Sequence, residues 1–183
     1  MKRTPSKAKS KAKSKPAAKT KSSPAKVTPI PETHRTLTPS ICVNGGAKAI
    51  EFYQKAFGAK VKFRMDAPDG KIAHAELQIG NSLVMLGDEF PDMGFQAPQP
   101  GVGMPVHFYL YVENVDAAWK RAVAAGATVK MPVQLMFWGD RVGKVSDPFG
   151  HQWSMASRVE IVSPEECMRR AEKMMPKPEP VTS

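Results

Sequence analysis

The sequence has few of the features that mark secreted proteins, zinc-stabilised domains or membrane-spanning proteins. Its two cysteines, Cys42 and Cys167, lie far apart and neither belongs to a C-x-x-C pair, which excludes a zinc knuckle and a thioredoxin-type motif. No run of about 18 apolar residues is present, the length that a membrane-spanning helix needs. The N-terminus also lacks the apolar segment of a secretory signal. We therefore expect a cytoplasmic protein, with no membrane partner, whose thiols are reduced.

Acidic residues are absent from the first 31 positions. That segment holds ten of the 27 Lys and Arg residues, so the rest of the chain has 17 basic and 17 acidic residues and is electrically balanced. Low-complexity Lys, Ala, Ser, Thr and Pro bury too little apolar surface to become ordered, and we predict a disordered basic tail over residues 1–33. Two interpretations of this tail stay open. It is either a solubilising segment, or a weak, sequence-independent contact for nucleic acid.

What the sequence does contain is an internal repeat. Residues 56–62 (AFGAKVK) are matched, 68 residues later, by residues 124–130 (AAGATVK). Each copy follows a helical pattern, which itself follows a short apolar run. A repeat of this length is too long for a solenoid unit and indicates one small module used twice. Two such modules, each with a concave sheet face, can enclose a shared cavity, and cavities are where ligands bind.

Residue periodicity predicts the order β-α-β-β-β in each module. The expected fold class is α+β: two βαβββ modules form a curved mixed sheet around a shared cavity, with a C-terminal helix and the basic tail outside it. We expect one domain over residues 34–175, followed by a disordered end at 176–183. Within the domain we predict module one at 36–88, a Pro- and Gly-rich linker at 89–104, module two at 105–157 and a helix at 163–174. The predicted strands are 37–43, 61–65, 72–79, 82–86, 106–112, 128–131, 136–138, 141–145 and 151–156, and the module helices are 47–57 and 115–125.

Several motifs on these elements resemble the vicinal oxygen chelate superfamily, which includes glyoxalase I, extradiol dioxygenases, and bleomycin and fosfomycin resistance proteins. The stretch 49–59 (AIEFYQKAFGA) is similar to the opening of that fold. The resemblance covers about residues 36–170 and implies a homodimer that binds a small organic ligand between its modules. Motifs at 74–80 (HAELQIG), 138–141 (WGDR), 147–153 (DPFGHQW) and 162–166 (VSPEE) resemble the PhnB-like branch.

The same resemblance gives an expectation about metal. In the metal-dependent members each module supplies two ligands, usually His and Glu, and open positions are left for the substrate. Those four positions fall on Thr38, Asp88, His107 and Ser154, of which only His107 matches well. We therefore predict no tightly bound metal and no cofactor, and we assign no catalytic residue. The alternative is a metal-dependent lyase, isomerase or dioxygenase.

Strand alternation selects the candidate ligand-binding residues. His107 and Tyr109 share one face of their strand, whereas Phe108 faces the other way and should pack under the helices. For His107 three roles stay open: a pocket polar group, a metal ligand, or a strand-end residue bonded to the backbone. His74 either lines the pocket or is a hydrogen-bonded strand residue. The full candidate set is His74, His107, Tyr109, Trp138, Arg141, Trp153 and Ser154.

Module two supplies six of these candidates, and the four that follow Tyr109 are Trp138, Arg141, Trp153 and Ser154. Trp138 and Trp153 suit a mostly apolar ligand cavity but could equally fill the core. Arg141 could bind an anionic ligand or pair with Asp140. Ser154 and Trp153 face opposite ways, so if Ser154 lines the cavity Trp153 should belong to the core. His151, which follows the DPFG turn, is expected at the surface or in the turn.

Overall fold

The computed structural model describes residue 1, residues 28–99 and residues 101–174. The predicted disordered tail and the predicted disordered end lie mostly outside these residues. In the described part of the chain, no helix is long and apolar enough to cross a membrane.

Module one forms a four-stranded mixed sheet with one helix. Its elements are β1 (Ser40–Val43), α1 (Gly46–Phe57), β2 (Lys60–Asp66), β3 (Ile72–Ile79) and β4 (Ser82–Asp88), and the strand order is β1-β4-β3-β2. The β1–β4 pair is parallel and the other pairs are antiparallel. The helix ends at Gly58, whose φ of 68° is the left-handed conformation predicted for this position.

Module two repeats this arrangement. Its elements are β5 (His107–Tyr111), α2 (Val115–Ala124), β6 (Thr128–Leu135), β7 (Asp140–Ser146) and β8 (Gln152–Arg158), in the strand order β5-β8-β7-β6. The chain then enters α3 (Pro164–Met174), where the Ser163 hydroxyl accepts a hydrogen bond from the Glu166 N–H. The predicted α+β fold of two βαβββ modules with a C-terminal helix is confirmed. Each module contributes its own sheet.

One predicted strand is wrong. Residues 136–138 form a turn, closed by hydrogen bonds from Met136 N–H to the Asp140 carbonyl and from Gly139 N–H to the Met136 carbonyl. The preceding strand β6 instead continues to Leu135, with shifts of register on either side of Met131. Pro132 lies in this strand because β6 is at the edge of its sheet, where a missing N–H costs little.

A single core joins the two modules. Helix α1 packs on β3 and β4, α2 packs on β6, β7 and β8, and the two helices contact each other. The Arg121 guanidinium on α2 donates a hydrogen bond to the Ala56 carbonyl at 3.0 Å. Ala56 lies in the last turn of α1, and a positive charge stabilises the C-terminal end of a helix. The rings of Phe57 and Trp153 lie 4.6 Å apart across the boundary. The helix-facing side of each sheet is therefore buried, whereas the opposite faces have exposed side chains such as Phe63 and Tyr111.

Candidate functional site

A cavity lies between the facing edges of the two sheets. Strands β1 and β5 are edge strands, and the space between them has a volume of about 700 Å³. Its described lining residues include no Lys, Arg, Asp or Glu, so its walls carry no permanent charge. The walls of the cavity include Cys42, Phe95, Met104, His107, Phe108, Tyr109 and His151.

Strand β5 supplies two of the predicted residues to this cavity. His107, Tyr109 and Tyr111 are exposed, whereas Phe108 and Leu110 pack against the core, which is the alternation expected of this strand. Burial and the nearby Asp140 carboxylate raise the pKa of Tyr109, so its phenol stays protonated and can donate. The structure therefore brings His107 and Tyr109 to one cavity. Their role in binding stays a prediction.

His151 is the polar residue that sequence reasoning misplaced. It was expected at the surface or in the turn, but it is 3% exposed and lines the cavity. Within the described residues its Nδ1 atom has no hydrogen-bond partner, and it lies 3.7 Å from Asp147 Oδ2. Burial lowers the pKa of His151, and the Asp147 charge opposes that shift only in part. The imidazole is therefore held neutral beside a carboxylate.

The Asp147 carboxylate explains why His151 points inward. Its Oδ1 accepts from the N–H groups of Phe149 and His151, both at 2.9 Å, which fixes the turn. Its Oδ2 accepts from the Tyr53 hydroxyl at 2.7 Å and from Trp153 Nε1 at 2.9 Å. Four hydrogen bonds fill the lone pairs of a carboxylate. Because Tyr53 belongs to α1, 94 residues away, this buried side chain ties the turn to module one.

Trp153 lies in the core and is not among the residues that line the cavity. It is 3% exposed, stacks near Phe108 at 4.7 Å and uses its only donor on Asp147. Ser154 faces the opposite side of β8, between Tyr109 and Lys144 in the sheet register. It is buried there and is not among the cavity residues. Trp153 and Ser154 therefore face opposite sides of β8, as strand alternation predicts, and neither of them lines the cavity.

Arg141 and Trp138 also lie outside the cavity. The Arg141 guanidinium forms two hydrogen bonds with Asp116 in the first turn of α2, at 2.7 and 3.1 Å, on the helix side of the sheet. These bonds lower the pKa of Asp116. Asp140, the neighbour of Arg141, faces the other way and accepts from Tyr111 at 2.8 Å and Trp138 at 3.2 Å. The predicted Asp140–Arg141 pair is wrong, because consecutive strand residues face opposite sides.

His74 lies on the open face of the first sheet. Its Nε2 atom is 3.6 Å from Glu76 Oε1, and His34 Nε2 is 3.7 Å from the same oxygen. Its ring is 6.0 Å from that of Phe63 on β2. None of these residues lines the cavity between β1 and β5, so His74 and His107 do not meet in one site.

Comparison with known proteins identifies the family to which this fold belongs. Residues 34–155 match the family model described as the Glyoxalase/Bleomycin resistance protein/Dioxygenase superfamily. The chain belongs to this superfamily. An uncharacterized Mycobacterium bovis protein is 45% identical over 133 residues, which span 71% of this chain and 88% of that protein. TioX from Micromonospora sp. ML1 superposes with a TM-score of 0.53 at 26% identity, over 67% of this chain and 98% of TioX. The PhnB protein of Bacillus cereus has the same fold, with a TM-score of 0.54 at 17% identity, over 67% of this chain and 99% of PhnB.

The metal that some members of this superfamily use does not fit the residues present here. The Thr38 hydroxyl donates to the Arg35 carbonyl at 2.9 Å. Both oxygens of Asp88 are occupied, because they accept the N–H groups of Gly45, Gly46 and Ile72 at 2.7 to 2.8 Å. Across residues 28–99 and 101–174, no group of three or more His, Cys, Asp and Glu side chains is placed to hold a metal ion. The predicted candidate Asp88 is a structural carboxylate.

The cavity thiol is also a poor nucleophile. Burial, with smaller contributions from Glu89 and Asp88, raises the pKa of Cys42 to about 11. Only the thiolate form of cysteine attacks an electrophile, so Cys42 acts as a small apolar wall residue at neutral pH. What the cavity offers a ligand is therefore apolar surface and neutral hydrogen-bonding groups.

Proposed function

We propose that this protein binds a small, largely apolar organic molecule in the cavity between β1 and β5, without a tightly held metal. The observation that carries the proposal is the uncharged lining of a space of about 700 Å³. Ligand pockets typically have volumes of about 300–1,000 Å³ and combine apolar walls with a few polar groups. Phe95, Met104 and Phe108 supply apolar surface, while His107 and His151 supply polar atoms.

A binding role is favoured over metal-assisted chemistry by the donor groups themselves. Of the four superfamily ligand positions, Thr38 bonds the backbone, Asp88 has both oxygens occupied, and Ser154 is a residue type that rarely binds transition metals. His107 alone cannot complete a ligand set. As part of this proposal we place the chain in the PhnB-like branch, on the motifs around Trp138 and His151 and the shared fold of the Bacillus cereus PhnB protein.

We further propose that two copies associate through the open faces of their sheets. Phe63 and Met65 on β2 are each 49% exposed, and Tyr109 and Tyr111 on β5 are 47% and 57% exposed. The chain's own core already uses the other face of each sheet. Tyr109 belongs both to this surface and to the cavity, so a second copy seated here would close the cavity on its solvent side. Sedimentation that gives a monomer mass at all concentrations would reject this association.

The basic segment supports a lesser proposal. Because residues 32–183 carry no net charge, any affinity for nucleic acid should come from residues 1–31. A salt titration of DNA binding with the full chain and with residues 32–183 tests this, and binding retained by the shorter chain would contradict it. We also propose a cytoplasmic location, in which Cys42 and Cys167, both free, stay reduced.

The binding proposal is tested by filling the cavity. Met104→Trp puts a large side chain at the cavity wall, and Met168→Trp puts the same side chain on α3, where Met168 is 62% exposed. With 2-methoxynaphthalene as a fluorescent apolar probe, we expect Met104→Trp to weaken binding at least tenfold and Met168→Trp to leave it unchanged. Equal affinities in all three proteins would reject the cavity as the site.

The absence of a tightly held metal has its own test. Elemental analysis of protein purified without chelator should give well under one equivalent of nickel, zinc, iron or manganese. A stoichiometric metal that is lost in His107→Ala would overturn this part of the proposal and favour the metal-dependent alternative.

A further inference from the structure

Of the two histidines among the described residues of the cavity wall, His151 is the buried one. His151 is 3% exposed and lines the cavity, and its Nδ1 atom makes no hydrogen bond within the described residues. Buried polar atoms are nearly always paired, because an unpaired one loses its bonds to water and gains nothing in return. Nδ1 faces Asp147, so the ring nitrogen that a ligand can reach is Nε2, which is not among the buried atoms without a partner in the described residues.

The position of Asp147 decides which nitrogen of His151 carries the proton. Nδ1 lies 3.7 Å from Asp147 Oδ2, an oxygen that already accepts from Tyr53 and Trp153. A proton on Nδ1 is attracted to this carboxylate, whereas a lone pair on Nδ1 would face its negative charge. In a neutral imidazole the other nitrogen then has the lone pair. Nε2 is therefore the hydrogen-bond acceptor of this ring.

The other cavity residues restrict the charge and shape of the ligand. No Lys or Arg is available among the described lining residues to neutralise an anion, and no Asp or Glu to neutralise a cation. A buried charge without a partner is strongly unfavourable, so the ligand should be neutral. Phe95, Phe108 and Tyr109 give the cavity aromatic walls, and the Phe108 and His151 rings lie 6.2 Å apart. Flat aromatic molecules suit such walls.

We infer that His151 recognises a neutral aromatic ligand by accepting a hydrogen bond from a ligand hydroxyl group at Nε2, and that Asp147 is the positioning residue that holds the imidazole in this tautomer. The inference rests on the proposed function, since it names the ligand class of the same cavity. It assigns His151 to specificity and leaves most of the binding energy to the apolar walls.

The first test compares two probes that differ in one hydrogen-bond donor. 2-Naphthol carries a hydroxyl donor, and 2-methoxynaphthalene has nearly the same shape without it. We expect 2-naphthol to bind the native protein about fivefold more tightly, as one good hydrogen bond allows. His151→Phe should abolish this preference, while the control His34→Phe should keep it, because His34 is not among the residues that line the cavity. Equal binding of both probes to the native protein would overturn the inference but leave the proposed function standing. Binding of neither probe would reject the proposed function and, with it, the inference.

The second test needs no ligand and no substitution of His151. Nitrogen-15 NMR of the histidine side chains reports which ring nitrogen is protonated. We expect His151 to carry its proton on Nδ1 in the native protein, and to lose that preference in Asp147→Asn while the backbone spectrum stays folded. A native His151 protonated on Nε2 would overturn the inference whatever the probes do.

Discussion

Asp88 of module one and Asp147 of module two are both buried, and they serve different purposes. Within the described residues, Asp88, at the end of β4, accepts only from backbone N–H groups, all from module one. Asp147, just after β7, accepts two backbone N–H groups and two side-chain donors, one of which comes from the other module. It also lies beside a histidine nitrogen that has no partner among the described residues.

The difference shows how the role of a buried carboxylate is recognised from its donors. Asp88 fixes the start of α1 and is 5% exposed, so it is local architecture. Asp147 connects the two halves of the core and also orients a cavity residue. If the two carboxylates have these different roles, substitution of each should affect stability and ligand binding differently.

The largest effect is expected from Asp147→Ala. The change leaves the Tyr53 hydroxyl and Trp153 Nε1 buried without an acceptor, and it removes two bonds that hold the turn. Each unsatisfied buried donor costs about 1–3 kcal/mol, so the free energy of unfolding should fall by about 4 kcal/mol. Urea unfolding followed by Trp fluorescence and by circular dichroism measures it. A loss of less than about 1 kcal/mol would mean that the donors find other partners.

Asp88→Ala should have a smaller effect and a different signature. It frees three backbone N–H groups, and that of Gly45 is only partly buried, so water can replace part of the lost bonding. We expect the free energy of unfolding to fall by about 2 kcal/mol. If Asp88 is architecture alone, the folded variant should bind 2-methoxynaphthalene as the native protein does. A selective loss of binding would erase the distinction between the two carboxylates.

Tyr53→Phe isolates the bond between the modules. It removes only the hydroxyl that donates to Asp147 Oδ2 in the buried core, and we expect it to lower the free energy of unfolding by about 1.5 kcal/mol. Tyr111→Phe is the matched control, because that hydroxyl donates to Asp140 from a side chain that is 57% exposed. The control should cost less than about 0.5 kcal/mol. Equal losses would show that the inter-module bond has no special weight.

The smallest effect concerns pH. In the folded protein, burial lowers the pKa of His151 below its ordinary value of 6.5. Just below pH 6.5 the unfolded chain therefore binds more protons than the folded protein does. Stability therefore rises with pH in this range: the contribution of His151 is complete above about pH 6.5 and is lost as the pH falls toward the folded pKa. Chemical unfolding at several pH values should show a weaker dependence in His151→Phe than in His34→Phe. The same slope in both variants would mean that burial does not control this titration.

The fold could be predicted because local signals and periodicity agree. Alternation of side chains predicted strand β3 at Ile72–Ile79, and Gly58 marked the end of α1; the structure has both. The end of strand β6 could not be predicted from the sequence. Pro132 and the register shifts around Met131 interrupt the alternation of side chains that marks a strand. The turn at 137–139 depends on tertiary packing, since a side chain at Gly139 would collide with the Glu160 carbonyl.

The site was less predictable, because its key contacts join residues far apart in sequence. Strand alternation placed His107 and Tyr109 on the correct face, and the same rule, strictly applied, would have removed Trp153 and separated Arg141 from Asp140. Nothing local marks His151 as buried: a DPFG turn is normally found at the surface. His151 lies inward because Asp147 holds the turn against the core through bonds to Tyr53 in the other module and to Trp153.

The shared core also has a consequence for synthesis on the ribosome. Phe52 and Phe57 on α1 are covered in part by Phe149 and Trp153, which are translated roughly 100 residues later. At about 5–20 residues per second, the part of the apolar face of α1 that module two covers remains exposed for about five to twenty seconds on each nascent chain. During that interval module one is a natural client for a chaperone, and a messenger truncated after module one would encode an aggregation-prone fragment, not a half-size binding protein.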